Sequence, residues 1–336
     1  MRVFAVVPAY NADWCLGACI VGLKGAGFAP GEIVVVDDGS TDGTAQVAGK
    51  AGVLLVQGPA NSGAAAARNL GAEAAAAAGA EILFFVDSDV VVHPNARQQV
   101  IDRFTDEPGI AAMFGAYDDS PGCQNLVSQY RNLLHHHVHM KGPREPTIFW
   151  TGCGAVRQQA FVRVGGFDAG LRMMEDVEFG HRLANSGGRI RLDPALQGKH
   201  LKCWSLRNMI HMDIFDRAIP WSRLMLFDGG IESEFNLSAS HRLSAITVLF
   251  ILASLLMAFL WPAALWSALG LTLGFVALNF ALFQLIRRRV GFFGMMGSVP
   301  LHMIHYGCAM IGLGSVVLVE WLPSRLVGET RAKPAG

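Results

Sequence analysis

Three acidic clusters stand along the first half of the chain: Asp37-Asp38, Asp87-Ser88-Asp89 and Glu175-Asp176. The first two each close a short apolar run, Ile33-Val34-Val35-Val36 and Ile82-Leu83-Phe84-Phe85-Val86, of the kind that forms a buried strand. In an open α/β sheet, residues just past the carboxyl ends of strands line the ligand crevice. Carboxylates gathered at one sheet edge repel one another unless a cation or ligand sits between them. Their chemistry points to a divalent metal with hard oxygen ligands and to a phosphate-bearing substrate. The third cluster opens a helical pattern in which Val177, Phe179-Gly180 and Leu183 make a packed face. Carboxylates in a first turn also favour the helix dipole, so a structural role stands beside a chemical one there.

The elements that must position these groups read as alternating strands and helices. Strands are expected over 3–7, 32–36, 53–56, 81–86 and 110–116, and helices over 13–26, 42–51, 62–78 and 94–105. The alternation argues for βαβ units and a largely parallel sheet. The helix over 62–78 is rich in alanine, a strong helix former that permits close packing on a sheet. No GxGxxG follows the first strand, which disfavours a dinucleotide-dependent dehydrogenase.

Several motifs fall where these elements end. Pro8-Ala9-Tyr10-Asn11 follows the first strand, and Asp37-Asp38-Gly39-Ser40-Thr41-Asp42-Gly43-Thr44 follows the second. Asn61-Ser62-Gly63 precedes Ala67-Arg68-Asn69, and Asp87-Ser88-Asp89 comes next. Gly152-Cys153-Gly154, Gly165-Gly166-Phe167-Asp168 and Glu175-Asp176 follow in order. Together they resemble the family 2 glycosyltransferases. The resemblance covers roughly residues 1–225 and implies a GT-A fold, an α/β Rossmann-like nucleotide-sugar-binding domain with a mainly parallel central sheet.

The resemblance also implies roles. Pro8, Tyr10 and Asn11 border the donor, while Asp38 and Asp37 contact its uracil and ribose. Asp87-Ser88-Asp89 matches the DxD motif, in which Asp87 and Asp89 hold Mg²⁺ or Mn²⁺ on the diphosphate and Ser88 lies on the donor side. Asp176 is the general base, with Glu175 in support. Gly152, Cys153 and Gly154 form the acceptor side. His200 is a candidate third metal ligand, Lys202 a candidate diphosphate contact, and Trp204 an acceptor-side residue or an interfacial anchor. Arg68 reaches the nucleotide or forms a structural ion pair. Gln197 and Lys202-Cys203-Trp204 depart in spacing from the QxxRW motif of processive synthases, which argues against polymerisation. His135 and His139 share a helix face at a spacing able to bind zinc, but with no third partner in the sequence a place over the acceptor cleft or near lipid headgroups is the expected one.

The bulk composition bounds the rest. Lys+Arg and Asp+Glu are both 27 in 336 residues, so net charge offers no argument for nucleic-acid binding. Charged residues make up 16%, against ~25% in an ordinary soluble chain, and mean hydropathy is +0.35. The deficit lies mostly after residue 243. Uncharged stretches over 244–261, 263–286 and 298–319 are each near the ~20 residues that span a bilayer. They define a transmembrane region, 243–322, joined to the catalytic domain by amphipathic helices within 205–242. Arg287-Arg288-Arg289 would lie on the cytoplasmic side with the catalytic domain. The chain opens on a strand pattern, so no signal peptide is expected. The six cysteines show no zinc spacing and are expected as reduced thiols.

The expected protein is a multi-pass membrane enzyme of the cytoplasmic or inner-membrane face. It would transfer a sugar from a nucleotide-sugar, a UDP-sugar by the resemblance, to a lipid or lipid-linked acceptor with inversion. Transfer to a polyprenyl phosphate, a processive synthase and a non-catalytic membrane scaffold are the alternatives.

Overall fold

A computed structural model describes residues 1–58, 60–227 and 239–327. The chain divides into two compact units, one made of 1–123 with 138–203, the other of 124–137 with 204 onward.

The first unit is built on an eight-stranded sheet: β1 (Val3–Ala9), β2 (Ile33–Asp37), β3 (Leu54–Gln57), β4 (Ile82–Val86), β5 (Val90–Val92), β6 (Ile110–Tyr117), β7 (Cys153–Arg157) and β8 (Arg189–His200). Their order across the sheet is β3-β2-β1-β4-β7-β6-β8-β5. The first four strands run parallel, as the alternation requires, and α1 (Asp13–Gly25), α2 (Thr44–Ala51) and α3 (Ala64–Ala77) connect them. Beyond β4 the sheet is mixed. β7 runs antiparallel to both β4 and β6, β6 and β8 are parallel, and β5 is antiparallel to β8. After β5, α4 (Ala96–Asp106) leads into β6. In the helix α5 (Leu126–Lys141), residues 126–137 belong to the second unit and 138–141 to the first.

Both faces of the sheet are buried. On one face Val3, Ala5, Val7, Ile33, Val35 and Phe84 meet Leu16, Ile20 and Leu23 of α1, with Phe28 stacked on Phe84 at 5.9 Å. On the other, Phe85 of β4 packs with Phe161 and Phe167, and Phe167 packs on Phe179 at 4.8 Å. Phe161 belongs to α6 (Gln158–Arg163) and Phe179 to α7 (Glu175–Asn185). Each such ring contributes about 1.5–3 kcal/mol of burial. The cluster therefore fixes α7, and the acidic pair at its start, on the sheet.

One expectation about the cysteines is corrected. Cys123 and Cys203 form a disulfide with their Cα atoms 5.3 Å apart. The pairing of β6 with β8, which sets Tyr117 opposite Gly198, brings the segments beyond both strands together. Cys15, Cys19, Cys153 and Cys308 are buried free thiols, as expected.

The second unit is helical. Helices α8 (Leu206–His211) and α9 (Ile219–Phe227) flank a π-helical turn, Met212–Ala218. The expected amphipathic region within 205–242 is helical from Leu206 to Phe227 and again from Ala239, and residues 228–238 lie outside the described residues. Then come α10 (Ala239–Met257), α11 (Ala264–Leu278), α12 (Phe280–Val316), the π-helical turn Val317–Trp321 and α13 (Leu322–Val327). Among the described residues two helical stretches, Ser240–Met257 and Phe280–Arg325, are long and apolar enough to cross a membrane, and Ala264–Leu278 is shorter. The stretch expected over 263–286 is divided at Asn279, whose side chain donates to Ser244 Oγ and accepts at 3.0 Å from the His302 ring. His302 in turn meets the Tyr130 hydroxyl at 2.9 Å, and Arg131 and His305 both meet Asp213. These internal partners are what admit polar groups into an apolar sequence.

Candidate active site

The site is built at one edge of the first unit's sheet. At the end of β2 both acidic residues are buried and engaged. Asp38 accepts from the main-chain N–H groups of Ser62 at 2.9 Å and Gly63 at 2.8 Å. Asp37 accepts from Ser40 N–H at 3.0 Å. The pair thus clamps two loops, 39–44 and 61–63, around the edge. Asn11, at a φ of 49°, ties the first of these down by accepting from Thr41 N–H at 2.9 Å. Pro8 is half-buried, and Tyr10 stands exposed at the same edge.

The Asp87-Ser88-Asp89 turn follows β4, and all three residues are half-buried. Arg68 lies behind it. Its guanidinium, 5% exposed, donates to Asp87 Oδ1 at 2.8 Å through one nitrogen and to Glu175 Oε1 through the other. Burial opposes its charge, but Asp87, Glu175 and Asp176 outweigh burial and hold the guanidinium firmly protonated. Arg68 is therefore an internal strut between two motifs, and of the two roles open in the sequence the ion pair is the one seen here. Its neighbour Asn69 completes the arrangement. The Asn69 amide donates to Phe167 O at 2.8 Å and accepts from Phe167 N–H at 2.9 Å, holding the 165–168 loop to α3.

On the other side of the turn, the His200 ring stands 3.4 Å from Asp89 Oδ2. Burial acts to raise the Asp89 carboxyl, but the His200 hydrogen bond and charge, with Lys202 beyond, bring it below its ordinary range. Among the described residues no three His, Cys, Asp or Glu side chains converge on one point. Asp89 and His200 nevertheless offer an oxygen and a nitrogen donor side by side. That donor set fits a divalent cation that draws its remaining ligands from phosphate oxygens and water. Asp87 is already bound to Arg68.

The acidic pair of α7 is placed by a strained turn. Met174 precedes the helix at a φ of 67°, a left-handed conformation uncommon for a residue with a side chain. The helix then packs so closely that a Cβ on Gly180 would fall 2.2 Å from Phe149 N. Glu175 is buried against Arg68. Asp176 is half-buried and accepts one good hydrogen bond, from Val177 N–H at 2.8 Å. Its other oxygen faces Thr151 N–H and Oγ1 at 3.5 Å, the limit of hydrogen-bond reach. Burial, and then the charge of Glu175, push the Asp176 carboxyl from its ordinary 3.8 to about 7, against the opposing charge of Arg68.

The reversal of β7 brings these two halves to one edge. Val86 pairs with Cys153, so Asp87 leaves β4 beside Gly152 and Thr151 entering β7. A Cβ on Gly152 would fall 2.2 Å from the Trp150 ring, and one on Gly154 2.2 Å from Trp150 O. The glycines expected on the acceptor side thus admit the protein's own Trp150. Trp150 and Tyr117 are not among the site residues expected from the sequence. Tyr117 stacks on His200 with centroids 4.2 Å apart and meets Trp150 edge-on at 4.8 Å. His139 also meets Trp150, at 5.0 Å, and its Nδ1 lies 2.9 Å from Gly115 O. An aromatic directly before a Thr-Gly-Cys-Gly run was the available signal. Trp204 falls in the second unit, where it is buried, takes Ser128 Oγ on its main-chain N–H and lies under the Arg131 guanidinium at 5.6 Å.

With this geometry in place, comparison with known proteins identifies its kind. Residues 4–165 match the model of glycosyl transferase family 2. A pre-mycofactocin glycosyltransferase of Mycobacterium tuberculosis is 29% identical over 224 residues, covering 63% of this chain and 45% of its own. An uncharacterised protein of Methanocaldococcus jannaschii is 27% identical over 179 residues, covering 53% of this chain and 70% of its own. The chain thus spans less than half the length of the mycobacterial relative. The fold is shared with the mannosyltransferase PcManGT from Pyrobaculum calidifontis, solved in complex with GDP-Man and Mn²⁺. That match has a TM-score of 0.50 at 16% identity, covering 98% of this chain and 88% of the other. Residues 4–165 thus carry the signature of glycosyl transferase family 2, on a fold of the GT-A kind.

Proposed function

We propose that the chain transfers a sugar from a nucleotide-sugar to a membrane lipid or lipid-linked hydroxyl, in one displacement that inverts the anomeric centre. The observation that carries this reading is the state of Asp176. It is held at about 7 and lacks a strong partner for one oxygen, beside the edge where the Asp87-Ser88-Asp89 turn emerges. A general base works best with a pKa near the operating pH. Asp176 takes the proton of the acceptor hydroxyl as that oxygen attacks the anomeric carbon, and the bond from that carbon to the diphosphate oxygen breaks. Glu175 and Arg68 keep Asp176 in place. Asp89 and His200 would hold the divalent cation, which when bound would neutralise charge on the leaving diphosphate. Lys202 supports the same diphosphate, and Trp150 offers an apolar wall to a sugar ring.

The polyprenyl phosphate alternative needs no base, because a phosphate acceptor is already ionised. The raised Asp176 carboxyl favours the hydroxyl. Membrane anchoring rests on the apolar helices of the second unit, and a cytoplasmic orientation on Arg287-Arg288-Arg289. The uridine donor is read from the motif resemblance, and the GDP-Man complex of PcManGT puts guanosine donors in the same screen. The test is calorimetric titration of UDP and GDP into the detergent-purified chain with Mn²⁺ and again with EDTA. Metal-dependent binding of either is expected. Binding of neither, under both conditions, removes the donor assignment.

A further inference from the structure

We propose that the Cys123–Cys203 disulfide is a redox switch on donor binding, acting through Lys202 and opened by a dithiol; this rests on the donor site proposed above. The bond closes the segment that carries His200 and Lys202. Strands β6 and β8 pair as far as Tyr117 and Gly198. Past that point the two strand ends run on together. Asp118 N–H donates to Gly198 O at 2.8 Å, and Gly122 N–H to His200 O at 2.9 Å. The Lys199 ammonium donates to Ser120 O at 2.6 Å. The disulfide comes next, with Cys123 directly after Gly122 and Cys203 directly after Lys202.

Lys202 is thereby held through both neighbours. On one side Leu201 N–H donates to Asp89 O at 2.9 Å, which ties the segment to the Asp87-Ser88-Asp89 turn. On the other, Cys203 is bonded to Cys123. In this position the Lys202 charge favours the ionised form of the Asp89 carboxyl. Residues 201–203 form neither helix nor strand, so regular structure does not hold them. Opening the disulfide releases one of the two ties and returns conformational entropy to the segment. Access favours the exchange. Cys203 is exposed and Cys123 half-buried, whereas Cys15, Cys19 and Cys153 of the same unit are buried. A thiolate of the dithiol attacks Cys203 Sγ, the S–S bond breaks, and Cys123 leaves as a thiolate. The second thiol of the reductant then displaces Cys203 from the mixed disulfide. Two electrons pass from the dithiol, which ends as a disulfide, and its two protons end on Cys123 and Cys203. On the cytoplasmic side proposed for this unit, dithiols are an ambient reductant, and disulfides formed there are usually transient and redox-sensing.

The test compares the full chain in detergent, oxidised and then reduced with dithiothreitol and desalted under argon. Thiol counts on the unfolded chain should be four before reduction and six after. In calorimetry with Mn²⁺, the Kd of UDP or GDP should rise roughly tenfold on reduction, the effect of losing one hydrogen bond to a charged group, and return on re-oxidation. The chain carrying both Cys123→Ser and Cys203→Ser should bind as the reduced chain does and ignore the reductant. Lys202→Ala should bind weakly in both states, with the redox difference gone. An unchanged Kd on reduction, with or without a fall in Tm, overturns the switch, as do six thiols after treatment with an oxidant. A full redox difference retained in Lys202→Ala overturns the action through Lys202. In each of these cases the donor reading survives. Binding of neither nucleotide in either state overturns the donor reading, and the switch with it.

Discussion

At the end of β2, every carboxylate oxygen of Asp38 has a main-chain donor, and Asp37 has one of its own. At the start of α7, Glu175 holds the buried guanidinium and Asp176 is left beside it with a single good hydrogen bond. Both are acidic doublets at the same edge. The difference lies in the supply of donors. A carboxylate saturated by backbone N–H groups is fixed and acts as part of the frame, while one denied them keeps its affinity for a proton. Arg68 bonds Glu175 and Asp87, and Asp176, without such a bond, keeps a raised carboxyl.

The sharpest way to break that contrast is Asp176→Asn. Removal of a general base lowers kcat by about 10²–10⁴-fold, with metal-dependent nucleotide binding retained in calorimetry. Retained turnover would remove Asp176 as the base. The same substitution should stabilise the fold. A carboxyl whose folded value is raised from 3.8 to about 7 destabilises the protein increasingly as pH climbs through that window, and constantly above it. The gain in Tm over wild type should therefore grow between those pH values and be flat beyond them.

Next in size is Arg68→Gln, which strips Glu175 and Asp87 of their shared partner. Breaking a buried ion pair from one side costs about 3–5 kcal/mol, measurable in denaturant melts. It also removes a cation that lowers the Asp176 carboxyl, so the ascending limb of the pH–rate profile should move above 7. Arg68→Lys should restore part of the stability with the limb nearer its original place. A stability loss without movement of the limb would make Arg68 a strut only.

In the unmodified chain, kcat/KM should rise roughly tenfold per pH unit below about 7 and level off above it, because the ionised base is the active form. The smallest effect is expected from Asp38→Asn at the saturated doublet. It unsettles the Ser62 and Gly63 N–H groups at about 1–3 kcal/mol. It should act on KM for the donor, with the pH limb unmoved. A shifted limb there would dissolve the distinction between the two doublets.

The parallel half of the fold could be read from the chain because each strand there is a continuous apolar run ending in a polar turn. Strands β7 and β8 carry no such run. Cys153–Arg157 opens with a glycine in its first two residues, and Arg189–His200 includes Arg191, Asp193 and Pro194. Both are recognised only once β6 supplies an edge for them. The same holds for the Cys123–Cys203 pair, whose 80-residue separation carries no local signal. Asp87, Asp89, Glu175 and Asp176 were visible as clusters, but their division of labour was not. It depends on which of them Arg68 reaches, and that is decided by helix packing.

The reversed strand has a consequence for how such a chain can diverge. The match to the family ends at residue 165, after β7 and before the loop that leads to Asp176. A half whose strands all run one way can be inherited as a block. The reversed strand then works as a splice point, presenting whatever follows it to the same edge. Segments after it can change in sequence while the pairing of β1 to β4 is left as it is.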